Sequence, residues 1–259
     1  MIKYLKKIHW ILSAQFGIDP FRTIYSLRGL PRYISDFIRF KKSYKGEIGI
    51  MPCLHDRYEE GGSTKNEYFW QDLLVARMIH KKNPKKHVDV GSRVDGFVAH
   101  VASFREIEVF DVRDITTKVP GILFQKADLM ISIDNFGNYC DSLSCLHALE
   151  HFGLGRYGDP IDAEGYVKGI RNMTRILKKK GTFYLSIPIG IERVEFNANR
   201  VFDPGKLIAL ARENGLVLQS LTVIQNGFNI KNIELNEEAL NELSIQSYSL
   251  GIFVFKKIQ

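Results

Sequence analysis

The stretch HVDVGSRVDGF, residues 87–97, is where the fold of this chain is written most plainly. Four residues of strand character, a carboxylate among them, run into a glycine, and a polar turn leads to a predicted helix start at about Val94. A strand that ends on a glycine turn and feeds a helix start is the opening unit of a parallel α/β sheet. Working outward, EIEVF (106–110), ILFQ (122–125), SLSCL (142–146) and TFYLSI (182–187) repeat the strand character, with helices or turns between them. This alternation predicts crossover connections. Upstream, Thr64-Lys65-Asn66-Glu67 has capping-box form and predicts a helix with Phe69, Leu73, Ala76 and His80 on one stripe, closed by Pro84. Downstream, a helix is expected over 163–180, with Lys178, Lys179 and Lys180 opposing its dipole and Gly181 as its stop. A further helix over 204–214 and strands over 216–224 and 251–255 follow, while residues 226–249 carry no readable pattern.

The 259 residues are 45% hydrophobic and 25% charged, which excludes disorder, collagen and a disulfide-stapled miniprotein. Cys53, Cys140 and Cys145 make an odd set with no CxxC pair, so neither a zinc ribbon nor a disulfide framework is expected, and a reducing compartment is. There is no run of about 18 apolar residues, so no spanning helix is expected. The start, Lys3, Lys6, Lys7 and then IHWIL, has the outline of a signal peptide but too short an apolar run and no A-x-A site. Charge is uneven: residues 1–49 hold ten Lys or Arg against three Asp or Glu, a net +7, and the rest of the chain is balanced. Two parts are expected, a basic helical extension over 1–49 and an α/β domain over 50–259. Residues 1–45 alternate apolar clusters with basic residues, and two readings fit. One is peripheral contact with an anionic membrane, and the other is a helical layer on the main domain with its charges in solvent.

An α/β sheet binds ligands beyond the carboxyl ends of its strands, where strand order reverses. After the first strand stand Asp89, Gly91 and Ser92. Asp111 lies 20 residues beyond Gly91, and Asp128 and Leu129 follow the third strand. Gly91 admits a ligand close to backbone, and the helix start offers free N–H groups. A carboxylate ending the second strand suits two ribose hydroxyls, and one a strand further over suits an adenine amino group. An adenosine-containing cofactor is the natural occupant. A dinucleotide needs G-x-G-x-x-G, and Arg93 stands at the second glycine; a phosphate loop needs G-K-[ST], and Phe97 and Val98 follow Gly96. S-adenosyl-L-methionine has no phosphate and makes neither demand.

With these elements in place, HVDVGSRVDGF, the Asp111 turn, Ala127-Asp128-Leu129 and SLSCLHALEHF (142–152) resemble the successive motifs of class I S-adenosylmethionine-dependent methyltransferases. More narrowly, YFWQDL (68–73), HVDVGSR (87–93), LHALEHFGLGRYGDPID (146–162) and PIGIERVEFNANRVF (188–202) resemble the methyltransferase-like family known as domain of unknown function 268. The resemblance implies a Rossmann-like, mostly parallel sheet with its last strand antiparallel. It also implies that Asp89 and Gly91 face the methionine end of the cofactor, that Asp111 takes the ribose and that Asp128 takes the adenine. Bacterial members are often associated with surface-polysaccharide synthesis, which implies a sugar hydroxyl in a polysaccharide or lipid-linked glycan as acceptor. The chain departs from the class at Arg93 and Asp95, where glycines are usual.

Methyl transfer to a hydroxyl needs a base, and His151, then His147, with Glu150 beside them, follow the fourth strand where an acceptor would meet the methyl. Arg156, Asp159, Glu192, Arg193 and Asn197 sit on loops over the same edge and suit a hydroxyl-rich ligand. Other readings stay open: a non-catalytic binding module, a nicotinamide-dependent sugar oxidoreductase, and a zinc protease spelled by H-x-x-E-H at 147–151. No metal and no nucleic-acid partner are expected, since the basic excess is confined to the start. The expected location is the cytoplasm, at the inner face of the membrane if the extension docks there.

Overall fold

A computed structural model describes residues 2–131 and 134–258, with backbone alone at 2–4, 6, 7 and 134. The side chains of Lys3, Lys6 and Lys7, which give the start its signal-like outline, lie outside what is described. Two compact units divide after Ser63. The first holds α1 (Ile2–Phe16), α2 (Pro20–Ser43) and a single turn at Asp56–Tyr58. Asp19 caps α2 by accepting from the Arg22 N–H at 3.0 Å, and Pro20 fills the first turn, where a missing N–H costs nothing. The division falls later than residue 49 because the backbone of Leu54 packs on α2 at Gly29, where a Cβ would overlap the Leu54 carbonyl.

The second unit is the α/β sheet. Helix α3 (Glu67–Lys82) precedes β1 (His87–Val90), and a wide turn and short α4 (Ala99–Ala102) lead to β2 (Ile107–Asp111) and β3 (Ile122–Lys126). Then come β4 (Cys140–Leu146), α5 (Gly165–Ile176), β5 (Leu177–Ile189), a small hairpin of β6 (Arg193–Glu195) and β7 (Asn199–Val201), and α6 (Pro204–Glu213). The chain finishes with β8 (Leu216–Gln225), β9 (Asn229–Ile233), α7 (Glu237–Ser244) and β10 (Ser249–Lys257). The sheet order is β3-β2-β1-β4-β5-β10-β8-β9, parallel from β3 to β5, with β10 antiparallel to both its neighbours and β9 antiparallel to β8. Strand order reverses at β1, which pairs with β2 on one side and β4 on the other. One face of the sheet buries Phe183, Phe253 and Phe255 under α5 and α6, and the other buries Phe97, Tyr184 and Ile252 under α3 and α4.

Three expectations shift. Helix α3 starts at Glu67 with Asn66 as its cap, accepting from the Tyr68 N–H, and buries Asp72, Val75, Ala76 and Ile79. Phe69 and His80 are exposed, so the buried stripe is rotated from the expected one. Helix α5 stops at Ile176, not Lys180. Pairing steps from Cys140 with Leu177 to Ser142 with Thr182, so Lys178–Gly181 form an outward bulge in β5. Fully buried Leu177 holds that register, and the Lys257 ammonium donates to the Thr174 and Leu177 carbonyls, opposing the helix dipole in place of the lysine run. The unreadable 226–249 segment holds the turn out of β8, then β9 and α7.

Candidate active site

The loop leaving β1 is held from beneath. Asp89 is fully buried; its carboxylate accepts from the Ser92 N–H at 3.0 Å and the Ser92 hydroxyl at 2.7 Å, and from the Ser144 hydroxyl on β4. Ser92 Oγ in turn accepts from the Leu146 N–H at 3.1 Å. Burial pushes the Asp89 carboxyl up to about 6 against the lowering pull of these bonds. The structure therefore puts Asp89 and Ser92 under the loop, as a brace between β1 and β4. Neither lines the cleft, because three donors and a closed interior already use their polar atoms. Gly91 does line it, in a left-handed conformation (φ +70°), and a Cβ there would meet Ala148 Cβ at 2.9 Å, so only glycine lets the β1 and β4 loops approach this closely. Arg93 and Asp95 pair with each other in solvent, and Arg93 has ordinary extended backbone, so that position needs no glycine.

A narrow cleft opens over the carboxyl ends of β1, β2, β3 and β4. Its walls are largely apolar, from Val90, Phe110 and Leu129, and Asp111, Asp128, His151 and Asp159 supply its polar groups. The one cation on its lining is Arg113, which sequence reasoning missed. Arg113 grips Asp111 through Nε at 3.1 Å and Nη2 at 2.8 Å, its own N–H donates to the same carboxylate at 2.8 Å, and its guanidinium lies 4.2 Å over the Tyr157 ring. Asp128 accepts from the Met130 N–H through one oxygen.

His151 reaches the same cleft from the turn after β4. Its Nδ1 lies 2.6 Å from the Ala198 carbonyl, which can only accept, and this contact is far shorter than the 3.4 Å to Arg156 Nη1, so Nδ1 carries the proton and Nε2, 3.8 Å from Glu150 Oε1, is the basic nitrogen of the neutral ring. Burial, reinforced by Arg156, outweighs Glu150 and holds the His151 pKa below the ordinary value. His147 has the opposite character. It turns away under α3, in a left-handed conformation (φ +51°), with Nδ1 donating to Glu150 at 2.8 Å and its ring 4.4 Å from that of Tyr68. Burial lowers its pKa, but the Glu150 bond and charge outweigh that and raise it, while His147 holds Glu150 below the ordinary range. The two form a buried ion pair, and neither lines the cleft. His147 Nε2 and Glu150 Oε2 have no hydrogen-bond partner; beyond them Glu67 accepts from the Tyr248 hydroxyl at 2.6 Å.

The acceptor-side residues divide. Asp159 knots its loop by accepting from the N–H groups of Gly153, Gly155 and Tyr157. Arg156 donates to the Ala198 carbonyl at 3.0 Å, and Asn197 donates to the Leu154 carbonyl at 3.5 Å, so all three stand beside His151. Glu192 and Arg193 do not join them. Glu192 pairs with Lys206, and Arg193 bonds Glu195 and the Ile191 and Ser247 carbonyls, at a separate hollow beside Tyr166 and Arg200. The H-x-x-E-H spelling makes no ligand set: only one turn spans 149–151, and among the described residues His147 and His151 do not fall in a group of side chains close enough to share an ion. Among the described residues, the group close enough to share an ion is His55, Asp56 and Glu59 in the first unit.

The parallel sheet with its antiparallel β10 between β5 and β8, and a cleft at the β1 switch point, is the class I methyltransferase fold. Residues 101–258 match the family described as "Caenorhabditis protein of unknown function, DUF268", and the chain belongs to that family. The match takes in LHALEHF and PIGIERVEFNANRVF and begins after YFWQDL and HVDVGSR. No curated protein matches. Among solved structures, the chain is similar to a putative sarcosine dimethylglycine methyltransferase from Galdieria sulphuraria, at 14% identity over 73% of this chain and 86% of that one, with a TM-score of 0.53. It is similar to a Burkholderia thailandensis 1,6-didemethyltoxoflavin-N1-methyltransferase solved with S-adenosylhomocysteine, at 12% identity over 93% and 92%, with a TM-score of 0.52. It is also similar to the [4+2]-cyclase SpnF, at 14% identity over 72% and 81%, with a TM-score of 0.52. At such identities the likeness carries the fold alone, and the cyclase illustrates that one fold hosts different chemistries.

Proposed function

We propose that the chain is a methyltransferase that uses S-adenosyl-L-methionine to methylate a sugar hydroxyl in a surface polysaccharide or a lipid-linked glycan. One observation carries the reading: a neutral histidine with its tautomer fixed, His151, lines the same switch-point cleft as Asp111 and Asp128. The donor set fits the cofactor. Asp111 and Asp128 face a mostly apolar hollow, the third carboxylate, Asp159, is tied to its own loop, and the single cation is already paired, which suits a nucleoside without phosphates better than a dinucleotide. Asp111 would hold the ribose, Asp128 the adenine amino group, and Gly91 would admit the methionine portion.

When bound, the cofactor supplies an electrophilic methyl on a sulfonium, so that the new O–CH3 bond forms as the S–CH3 bond breaks. His151 Nε2 takes the hydroxyl proton as that bond forms, and the Ala198 carbonyl keeps the ring in register. Arg156, Asp159 and Asn197 rim the place an acceptor would enter. The sugar acceptor rests on the family resemblance and on these polar side chains. The test is methyl-labelled S-adenosylmethionine offered with lipid-linked oligosaccharides and surface glycans, with His151→Ala as control. Label in a glycan hydroxyl that His151→Ala abolishes supports the reading, and cofactor binding with no glycan labelled removes the acceptor assignment. A second reading, a non-catalytic binding module, is favoured by the guanidinium of Arg113 seated on Asp111. Absence of binding by S-adenosylmethionine and by its demethylated product would support that module.

A further inference from the structure

The first unit presents an apolar helix face that nothing in that unit covers. At 100° per residue, Ile24, Leu27, Ile34 and Ile38 of α2 fall within an arc of about 80°. Their exposures are 65%, 59%, 48% and 51%. Gly29, the one buried residue of α2, points the opposite way, against the Leu54 backbone, so the unit packs on one side of the helix and leaves the apolar side bare. On the same count Arg28, Arg32 and Arg39 lie along one edge of the stripe and Lys41 along the other, with the Arg28 guanidinium 4.6 Å over the Tyr58 ring. Arg32 and Arg39 share a single exposed carboxylate, Asp36, at 3.4 and 3.7 Å. Helix α1 repeats the character, with Ile8, Ile11 and Phe16 exposed, and is tied to the start of α2 by the His9–Asp19 contact at 3.2 Å. Among the described residues no helix is long and apolar enough to cross a membrane.

We propose that this face lies in the headgroup layer of an anionic lipid bilayer, with the apolar stripe in the acyl boundary and the flanking arginines among the lipid phosphates. Charge complementarity selects this occupant. Residues 1–49 carry a net +7 while the remainder is neutral, and an exposed apolar face with basic flanks is the pattern that binds anionic interfaces. A second copy of the chain suits the face less well, because it would bring the same positive charge across the seam. The inference is independent of the cleft in the second unit.

Sedimentation of the full chain with vesicles tests it. The chain should pellet with phosphatidylcholine vesicles containing about one-third phosphatidylglycerol, less with phosphatidylcholine alone, and progressively less as salt rises. The exposed double substitution Leu27→Glu with Ile34→Glu should cut vesicle binding at least about tenfold while circular dichroism stays unchanged. Three results would overturn the proposal: a chain that stays in the supernatant with anionic vesicles, binding that survives the double substitution, or a dimer that the double substitution dissolves with no vesicle binding by either form.

Discussion

Arg113 should compete with a nucleoside for Asp111, and the size of the competition can be worked from the geometry. A carboxylate offers about four lone-pair sites. Three at Asp111 already serve the Arg113 backbone N–H and two guanidinium N–H groups, which leaves one for a ribose that brings two hydroxyls. The guanidinium must therefore swing aside on binding. Its side chain is 48% exposed, so solvent screens the pair and its loss costs about 1 kcal/mol rather than the several a buried pair would hold. Arg113→Ala should tighten the Kd for S-adenosylmethionine about fivefold. Asp111→Ala removes two hydrogen bonds to a charged acceptor, each worth about 1.5 kcal/mol or more, and should weaken binding at least about tenfold after the freed Arg113 is allowed for. The double variant should behave like Asp111→Ala, since Arg113 then has nothing to block. Titration calorimetry on the three variants reads all of this. An Asp111→Ala protein that binds as tightly as the parent, or an Arg113→Ala protein that binds as weakly as Asp111→Ala, would refute the reasoning.

His151→Ala should lower methyl transfer by about a hundredfold or more with cofactor affinity nearly unchanged, measured as turnover against Kd. The acid limb of the parent's pH–rate profile should fall below the ordinary histidine pKa, because the folded His151 pKa is depressed. His147→Phe leaves Glu150 buried without its partner, so it should cost about 3–5 kcal/mol by urea denaturation, and adding Glu150→Gln should recover part of that loss. His87 is buried between the hydroxyls of Ser142 and Ser144, and burial pulls its pKa down to about 3. The unfolded chain therefore binds a proton as pH falls through 6.5 and the folded chain does not. That costs about 2 kcal/mol of stability by pH 5. Asp89, raised to about 6 when folded, takes up a proton over the same range and offsets about 1.4 kcal/mol of it. His87→Gln should consequently gain about 2 kcal/mol of stability relative to the parent between pH 7.5 and pH 5, read from urea midpoints at the two values.

The strands and their order of function were legible because β1, β2, β4 and β5 are buried runs bounded by turn residues, and burial is what the apolar pattern reports. Asp111, Asp128 and Gly91 could be placed at one cleft because each ends a strand or stands at the start of the loop after it, and His151 because it lies on the short turn that follows β4. Asp89 sits in the same motif but one residue inside the pleat, and period alone does not say which face a strand carboxylate takes when both faces are buried. Arg113 went unread because its importance lies in a bond to a residue two positions away and in a ring from a distant loop, Tyr157. The Lys178–Lys180 run looked like a helix end since local charge favours that, but tertiary pairing of Leu177 with Cys140 and the remote Lys257 overrode it. Glu192 and Arg193 lie on the expected edge but are drawn off by Lys206, Glu195 and Ser247, partners that no spacing in the sequence reveals.

Titration of the purified full chain with S-adenosylmethionine and with S-adenosylhomocysteine puts the central claim to its most direct test. One saturable site per chain is expected for each ligand, together with a rise in the thermal midpoint that Asp111→Ala diminishes. Neither heat nor stabilisation with either compound, from a chain that is folded by circular dichroism, would contradict the account.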